Sequence, residues 1–364
     1  MAEKRIRGDI LREGFEEFNR LYYRASKKKW MFPIVSLIVA SMALMVTLGM
    51  GVYEISVPDA IMVMIDHLRD SVTDKTSDLY VWDVRLPRAI GALFVGASLA
   101  IGGAIMQNVM HNPLADPYTV GVSSGAFLGA VLSMIGGFSI LPFVSEDLST
   151  ISNAFVFSLI PVAVILLISK FKRLSPTAII LLGIAMMYVF SSITQYMMIT
   201  SEAEDLAEVY AWRVGSLSRI TWDNLPYIVV ITTALGLLLG TMYKKLDIMY
   251  TGDNNAKTLG VNAQRMRIVT LTIISLMTAA VVSFTGTIGF IGLVGPHIAR
   301  IFVGSKNKYL LPASAAFGAM FLIVADSIAK VSGINGLPVG VISSMVGGPL
   351  FLYILIKQRK KVWN

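Results

Sequence analysis

Residues 85–126 read RLPRAIGALFVGASLAIGGAIMQNVMHNPLADPYTVGVSSGA. An apolar, glycine-rich helix runs into a polar, proline-broken turn, Asn112-Pro113-Leu114-Ala115-Asp116-Pro117, and the chain then returns at once to apolar sequence. Irregular backbone at a membrane boundary needs polar partners or water, so a turn of this kind is buried in protein or aimed at a partner. The stretch therefore predicts helical spans interrupted by a working turn, and the rest of the chain bears on that expectation.

Composition places the whole chain in a bilayer. It has 364 residues, 55% hydrophobic and only 15% charged, with a mean hydropathy of +0.68, far from the balance of a soluble domain. Apolar runs long enough to cross a membrane recur at 31–53, 88–110, 117–137, 151–170, 176–199, 224–243, 268–287, 289–303, 310–329 and 338–356. The expected fold is an all-α membrane protein of about ten transmembrane helices, occupying residues 31–364. Residues 1–30 form a cytoplasmic segment, with Leu11, Phe15, Phe18 and Tyr22 at helical spacing as for a helix lying on the inner leaflet; a frayed tail is the alternative. No cleavable leader is expected there, because both charge signs mix and no small-residue cleavage site follows. The absence of cysteine removes disulfides and thiolate chemistry.

The net charge of +8 would suit nucleic acid, but its distribution argues otherwise. With the chain starting inside, 23 of the 31 Lys and Arg residues fall in cytoplasmic segments, while the outer ones carry Asp and Glu such as Asp66, Asp70, Asp74, Glu204 and Glu208. This is the positive-inside pattern, and it puts both termini in the cytoplasm. No nucleic-acid partner is expected; membrane lipid is.

A weak internal echo adds a second constraint. Residues 280–304, AVVSFTGTIGFIGLVGPHIARIFVG, repeat the order of the first stretch: glycine-dense helix end, turn, short returning span. In this topology the two turns face opposite sides, so the expected repeat is inverted, a device of alternating-access transporters. Gly125–Gly129 and Gly236–Gly240 are small-xxx-small pairs suited to close helix packing. Gly121-Val-Ser-Ser-Gly125 matches a hydrolase nucleophile pattern, but it opens a membrane helix and has no His/acid pair to serve it. No catalytic residues and no metal ligands are expected. There is no GxxxxGK[ST] phosphate loop either, so ATP-driven work would need a separate ATPase subunit.

Position for position, the 85–126 run resembles the signature of permease subunits of iron-siderophore, haem and vitamin B12 importers of the ABC class. The run Gly286–Arg300 is similar to that family's GxIGFIGLxxPHxxR segment. The resemblance implies a homodimeric permease, two cytoplasmic ABC ATPases that hold the ATP and Mg, and an extracytoplasmic substrate-binding protein, in the cell (inner) membrane; this chain itself would bind no cofactor. It implies that residues 246–262 are the ATPase-coupling region, with Gly252 at the first turn, Ala256 and Leu259 as the apolar docking face and Gly260 at the second turn. It also implies that Arg85, Arg88 and Lys330 receive acidic knobs of the binding protein. Lysine stands at the third position where the family carries arginine, keeping the charge but losing the bidentate fork.

The fifth span carries Met187, Ser191, Gln195 and Met198, which the resemblance places along the translocation path. Polar groups in a span prefer protein interior or a wet cavity, and methionine lines adaptable surfaces. Ordinary interhelical bonding is the bland alternative. A lining without a mid-span charge suits a large metal chelate better than a naked ion. An ion-coupled secondary transporter with inverted repeats remains the second reading; it would need an intramembrane acid, for which Asp326 is the one weak candidate. Which chelate is carried is not legible.

Overall fold

The computed structural model describes residues 2–362 apart from Pro142 and Asn335, with side chains described between Ser26 and Lys357. Among them there is no strand. The chain opens with α1 (Ala2–Gly49), α2 (Val57–Leu68) and α3 (Lys75–Asp78), continues through a π-helical stretch Leu79–Arg85, and enters α4 (Leu86–Val109). After a 3-10 turn at Pro117–Val120 come α5 (Val122–Met134), α6 (Glu146–Phe171), α7 (Pro176–Ile199), α8 (Ala203–Val214) and α9 (Leu225–Thr241). The remainder is α10 (Tyr243–Tyr250), α11 (Asp253–Thr258), α12 (Ala263–Thr285), α13 (Ile291–Val303), α14 (Asn307–Val331) and α15 (Val339–Val362).

Each of the ten expected spans falls on a helix, but not all are full crossings. Among the described residues seven helices are long and apolar enough to span, and α9 with α10 makes an eighth only through a 60° bend. α5 and α13, at 13 residues each, reach only about 20 Å, short of a ~30 Å hydrocarbon core. These two short helices are the ones that return from the two echoing turns. The amphipathic segment expected in 1–30 runs without a break into the first span; the face it presents involves side chains outside the described residues.

Helix starts follow local chemistry. Ser145, Ser175 and Asn262 each accept a hydrogen bond from a backbone N–H of the first turn, opening α6, α7 and α12. Pro176 at the first position of α7 loses a donor that would be orphaned anyway.

α4 is the central helix, buried along nearly its whole length. Its glycines explain why. A Cβ at Gly96 would lie 2.2 Å from the Gly318 carbonyl oxygen on α14, and one at Gly103 would lie 1.8 Å from that of Gly292 on α13. Backbones therefore meet directly at both crossings. Gly125 and Gly129 do the same against α6, at Phe157 and Asn153. Gly236 and Gly240 do not: the nearest atom to either is Ile101 Cδ1 at 3.7 Å. That pair lines a groove between α4, α9 and α14 instead.

Candidate functional site at the two ends of α4

The N-terminal end of α4 gathers the three cations singled out in the sequence. Arg85, Arg88 and Lys330 all line one cavity of about 450 Å³, together with Tyr53, Tyr80, Ser216, Ser218 and the 336–338 turn. They are not free. Arg88 donates to Asp326 from Nε at 3.0 Å to both oxygens and from Nη2 at 2.7 Å. Lys330 Nζ lies 3.4 Å from the other oxygen of Asp326 and donates to Thr47 Oγ1 at 3.1 Å. Asp326 is 0% exposed and the Arg88 side chain 13%. Arg85 donates to the Leu48 carbonyl at 2.7 Å and to the Tyr53 carbonyl, pinning the turn after α1.

Arg85 and Lys330 are buried and Arg88 is partly so, each holds internal partners, and the cluster ties α1, α4 and α14 together. Three cations face one carboxylate, so the cavity stays positive. The π-helical stretch ends at Arg85 itself; such bulges re-aim side chains and recur at functional sites.

About 36 Å away, by the rise of 24 helical residues, the C-terminal end of α4 meets the elbow made by α10 and α11. Gly252 (φ +101°) and Gly260 (φ +78°) bracket α11 in backbone conformations that side chains other than glycine rarely adopt, as their predicted turn positions require. Ala256 departs from expectation: it is 0% exposed and packs into the core with Leu246 and Met249. It seats the elbow on its own chain and offers nothing to a partner. Leu259, 61% exposed, and Tyr250 are the outward apolar groups. The exposed half of the Asn112–Asp116 turn, including Leu114, adjoins them, since His111 Nε2 lies 3.4 Å from Asp253 Oδ1. The buried half carries Asp116, whose Oδ1 accepts from the Tyr118 and Thr119 N–H groups. The turn is both buried and presented, as its position at a boundary demands.

Between the two ends, the two echoing turns touch. Tyr118 Oη donates to the Ile288 carbonyl at 3.1 Å, and a Cβ on Gly292 would sit 3.1 Å from Pro117 Cδ. Of the α7 residues expected along a translocation path, Met187, Ser191 and Gln195 lie exposed at four-residue spacing on one face. Met198 does not join them: at 9% exposure it packs with Val131 and Val209.

Four functional-looking side chains escaped the sequence reading. Arg267, just before the span expected at 268–287, is fully buried in the second turn of α12 and donates to Asp253 and to the Val109 carbonyl. Asp247 and Asp253 read as ordinary polar residues of a loop. Gln107 joins His297 and Arg300 in a buried polar cluster between α4 and α13. Only Arg300 and His297 carried a signal, through the PHIAR run. Among the described residues no cluster of ligands suited to a metal ion occurs.

The sequence profile of the FecCD transport family matches residues 37–357. The Fe(3+)-citrate import system permease protein YfmE of Bacillus subtilis is 33% identical, over 93% of this chain and 99% of its own. The cobalamin import system permease protein BtuC of Halobacterium salinarum is 36% identical, over 77% of this chain and 74% of its own. A solved ABC transporter assigned to the metal-chelate type, in an inward-facing conformation, superposes with a TM-score of 0.78 at 27% identity, covering 89% of this chain and 98% of that one. With all-helical architecture, broken helices meeting at the centre and a match across nearly the whole length, the chain is a membrane-embedded permease of the FecCD transport family.

Proposed function

We propose that the chain is the permease subunit of a binding-protein-dependent ABC importer that brings a metal chelate into the cytoplasm by alternating access. It works as a homodimer in the cell membrane with both termini inside. ATP and Mg are held by two cytoplasmic ATPases seated on the elbow around Leu259 and Tyr250. An extracytoplasmic binding protein docks over the cavity of Arg85, Arg88 and Lys330. Among chelates, an iron complex is favoured by the likeness to an iron-citrate permease; haem and cobalamin remain within the same class.

The observation that carries this reading is that a basic cavity and a glycine-bracketed polar elbow stand at opposite ends of one buried helix, with two broken-helix turns in contact between them. Ends that differ this way suit a protein served by different partners on the two sides of a membrane. The secondary-transporter reading loses its candidate acid, because Asp326 is already neutralised by Arg88 and Lys330.

The test is purification of the chain with its cognate ATPase, reconstitution in vesicles, and ATP-dependent uptake of labelled ferric citrate, haem and cobalamin, each with the cognate binding protein. ATP-independent, proton- or sodium-driven uptake would refute the assignment.

A further inference from the structure

Among the described residues, the side-chain hydrogen bonds that tie the elbow to the rest of the chain centre on two carboxylates. On α10, Asp247 Oδ1 accepts from the Asn307 backbone N–H at 2.7 Å and from Asn307 Nδ2 at 2.8 Å. Its own N-cap, Lys306, supplies no side-chain bond to α14, so a residue of the elbow caps that helix in trans, where orphan N–H groups and the helix dipole favour an anion. On α11, Asp253 Oδ1 accepts from Arg267 Nη2 at 2.7 Å, and Arg267 Nε donates in turn to the Val109 carbonyl at 2.9 Å. Arg267 thereby ties the elbow to the start of α12 and the last turn of α4 together, satisfying a carbonyl that helix ends leave open. His111 leans on the same carboxylate.

Through these two side chains the elbow reaches the ends of α4, α12 and α14. They are not arbitrary helices. α4 crosses α14 and α13 in backbone contact at Gly96 and Gly103, and α12 leads into the turn that meets Tyr118 at the centre. The apolar seat of Leu246, Met249 and Ala256 keeps the elbow in place without directing it, because apolar packing has no preferred direction. The two charge-assisted hydrogen-bond sets do have one.

We propose that Asp247 and Asp253 are positioning residues that convert a displacement of the elbow into movement of α4, α12 and α14, and that they act in transmission and not in ATPase docking. This rests on the elbow being the ATPase contact, and the experiment separates the two claims. The chain contains no cysteine, so a spin-label pair at Ser71→Cys and Ile334→Cys, both at the far end from the elbow, reports on that end without background labelling. The complex with the cognate ATPase is measured with and without ATP.

In the otherwise unchanged chain, ATP should shift the distance distribution of the pair. In the Asp247→Ala/Asp253→Ala double variant the ATPase should still co-purify and hydrolyse ATP, while the shift collapses and ATP-driven ferric citrate uptake per ATP falls by about tenfold. Asp247→Glu/Asp253→Glu should restore part of the shift, which a purely structural role would not require. Should the alanine variant fail to fold, Asp247→Asn/Asp253→Asn keeps an acceptor oxygen at each place and weakens the tie. An undiminished shift in a variant that retains its ATPase overturns the proposal, as does a wild-type pair that never moves. Loss of the ATPase from the double variant also overturns it, since the carboxylates would then belong to the docking surface. Leu259→Glu tests the underlying reading: if it neither detaches the ATPase nor lowers uptake, the elbow is not the contact.

Discussion

The two ends of α4 use the same chemistry, carboxylate with guanidinium, for opposite purposes. At the N-terminal end Asp326 is sealed from water between Arg88 and Lys330, and the cluster as a whole joins α1, α4 and α14. At the C-terminal end Asp253 is 44% exposed and only its partner Arg267 is buried. Solvent access decides what each pair is for. A dry pair is costly to break and therefore holds shape; a half-wet one is weak enough to load and unload, as a joint requires.

That contrast is broken most directly by removing one partner at each end. Asp326→Ala leaves two buried cations facing each other and should cost about 3–5 kcal/mol, read as a lowered unfolding midpoint in detergent or as failure to accumulate. Asp253→Ala should cost less, about 1–3 kcal/mol: Arg267 is buried and loses a partner, but water can enter the half-exposed space and Arg267 keeps its bond to the Val109 carbonyl. Equal losses at the two ends would show that exposure does not separate them.

The next largest effect concerns surfaces. Leu259→Glu places a charge on the outward apolar position of the elbow and should weaken ATPase association at least about tenfold, given how central apolar anchors dominate interfaces, with no change in thermal stability. Ala256→Arg is a poor probe of the same contact, because it drives a charge into the core beside Leu246 and Met249 and would unfold the segment it was meant to test. Association assays of both variants, alongside their unfolding curves, distinguish contact from collapse.

Much of this architecture was legible in the residues, for a physical reason. Long apolar helices are a local property, so the helical segments could be placed from composition and length, whereas the turns at Gly252 and Gly260 came through the resemblance and their positive φ agrees with it. The gathering of Arg85, Arg88 and Lys330 at one cavity came only through resemblance, since 242 positions part Arg88 from Lys330 and no periodicity links them. What was not legible is which face of a short helix turns inward. Ala256 and Leu259 lie three apart on the same elbow, yet one is core and the other surface; Met198 continues the polar stripe of α7 in sequence but falls on its packed side. Arg267 was hidden because a cation near a span boundary looks the same whether it snorkels or is buried.

A smaller effect is expected at Lys330, the third cation of the cavity proposed for docking. Lys330→Arg keeps the charge and adds a second donor edge toward the cavity, which has room for the larger head at about 450 Å³. Binding-protein affinity should hold or rise within about 1 kcal/mol, and should fall with added salt in both forms. Charge reversal at Arg88 would not isolate docking, because it also sets two carboxylates against each other at Asp326. A titration at low and high salt in which Lys330→Ala binds as the unchanged chain does would assign the cluster to holding helices alone.

The smallest effect is one of pH, at the wet end. Burial pushes the Asp253 carboxyl up, but the Arg267 hydrogen bond and charge, with His111, outweigh it and hold the group below its ordinary value of 3.8. A carboxylate with a depressed pKa contributes stability that is present above the unfolded value and disappears as pH falls through the folded one. The elbow should therefore stay anchored at neutral pH and release only below about pH 4. Thermal unfolding of the chain and of Asp253→Asn should differ slightly at pH 7 and converge in that acid range, with His111→Gln carried through both series to remove the histidine's own charge from the comparison. No difference between the two chains at pH 7, or one that persists undiminished below about pH 3, would mean that the ionised carboxylate is not what anchors the elbow.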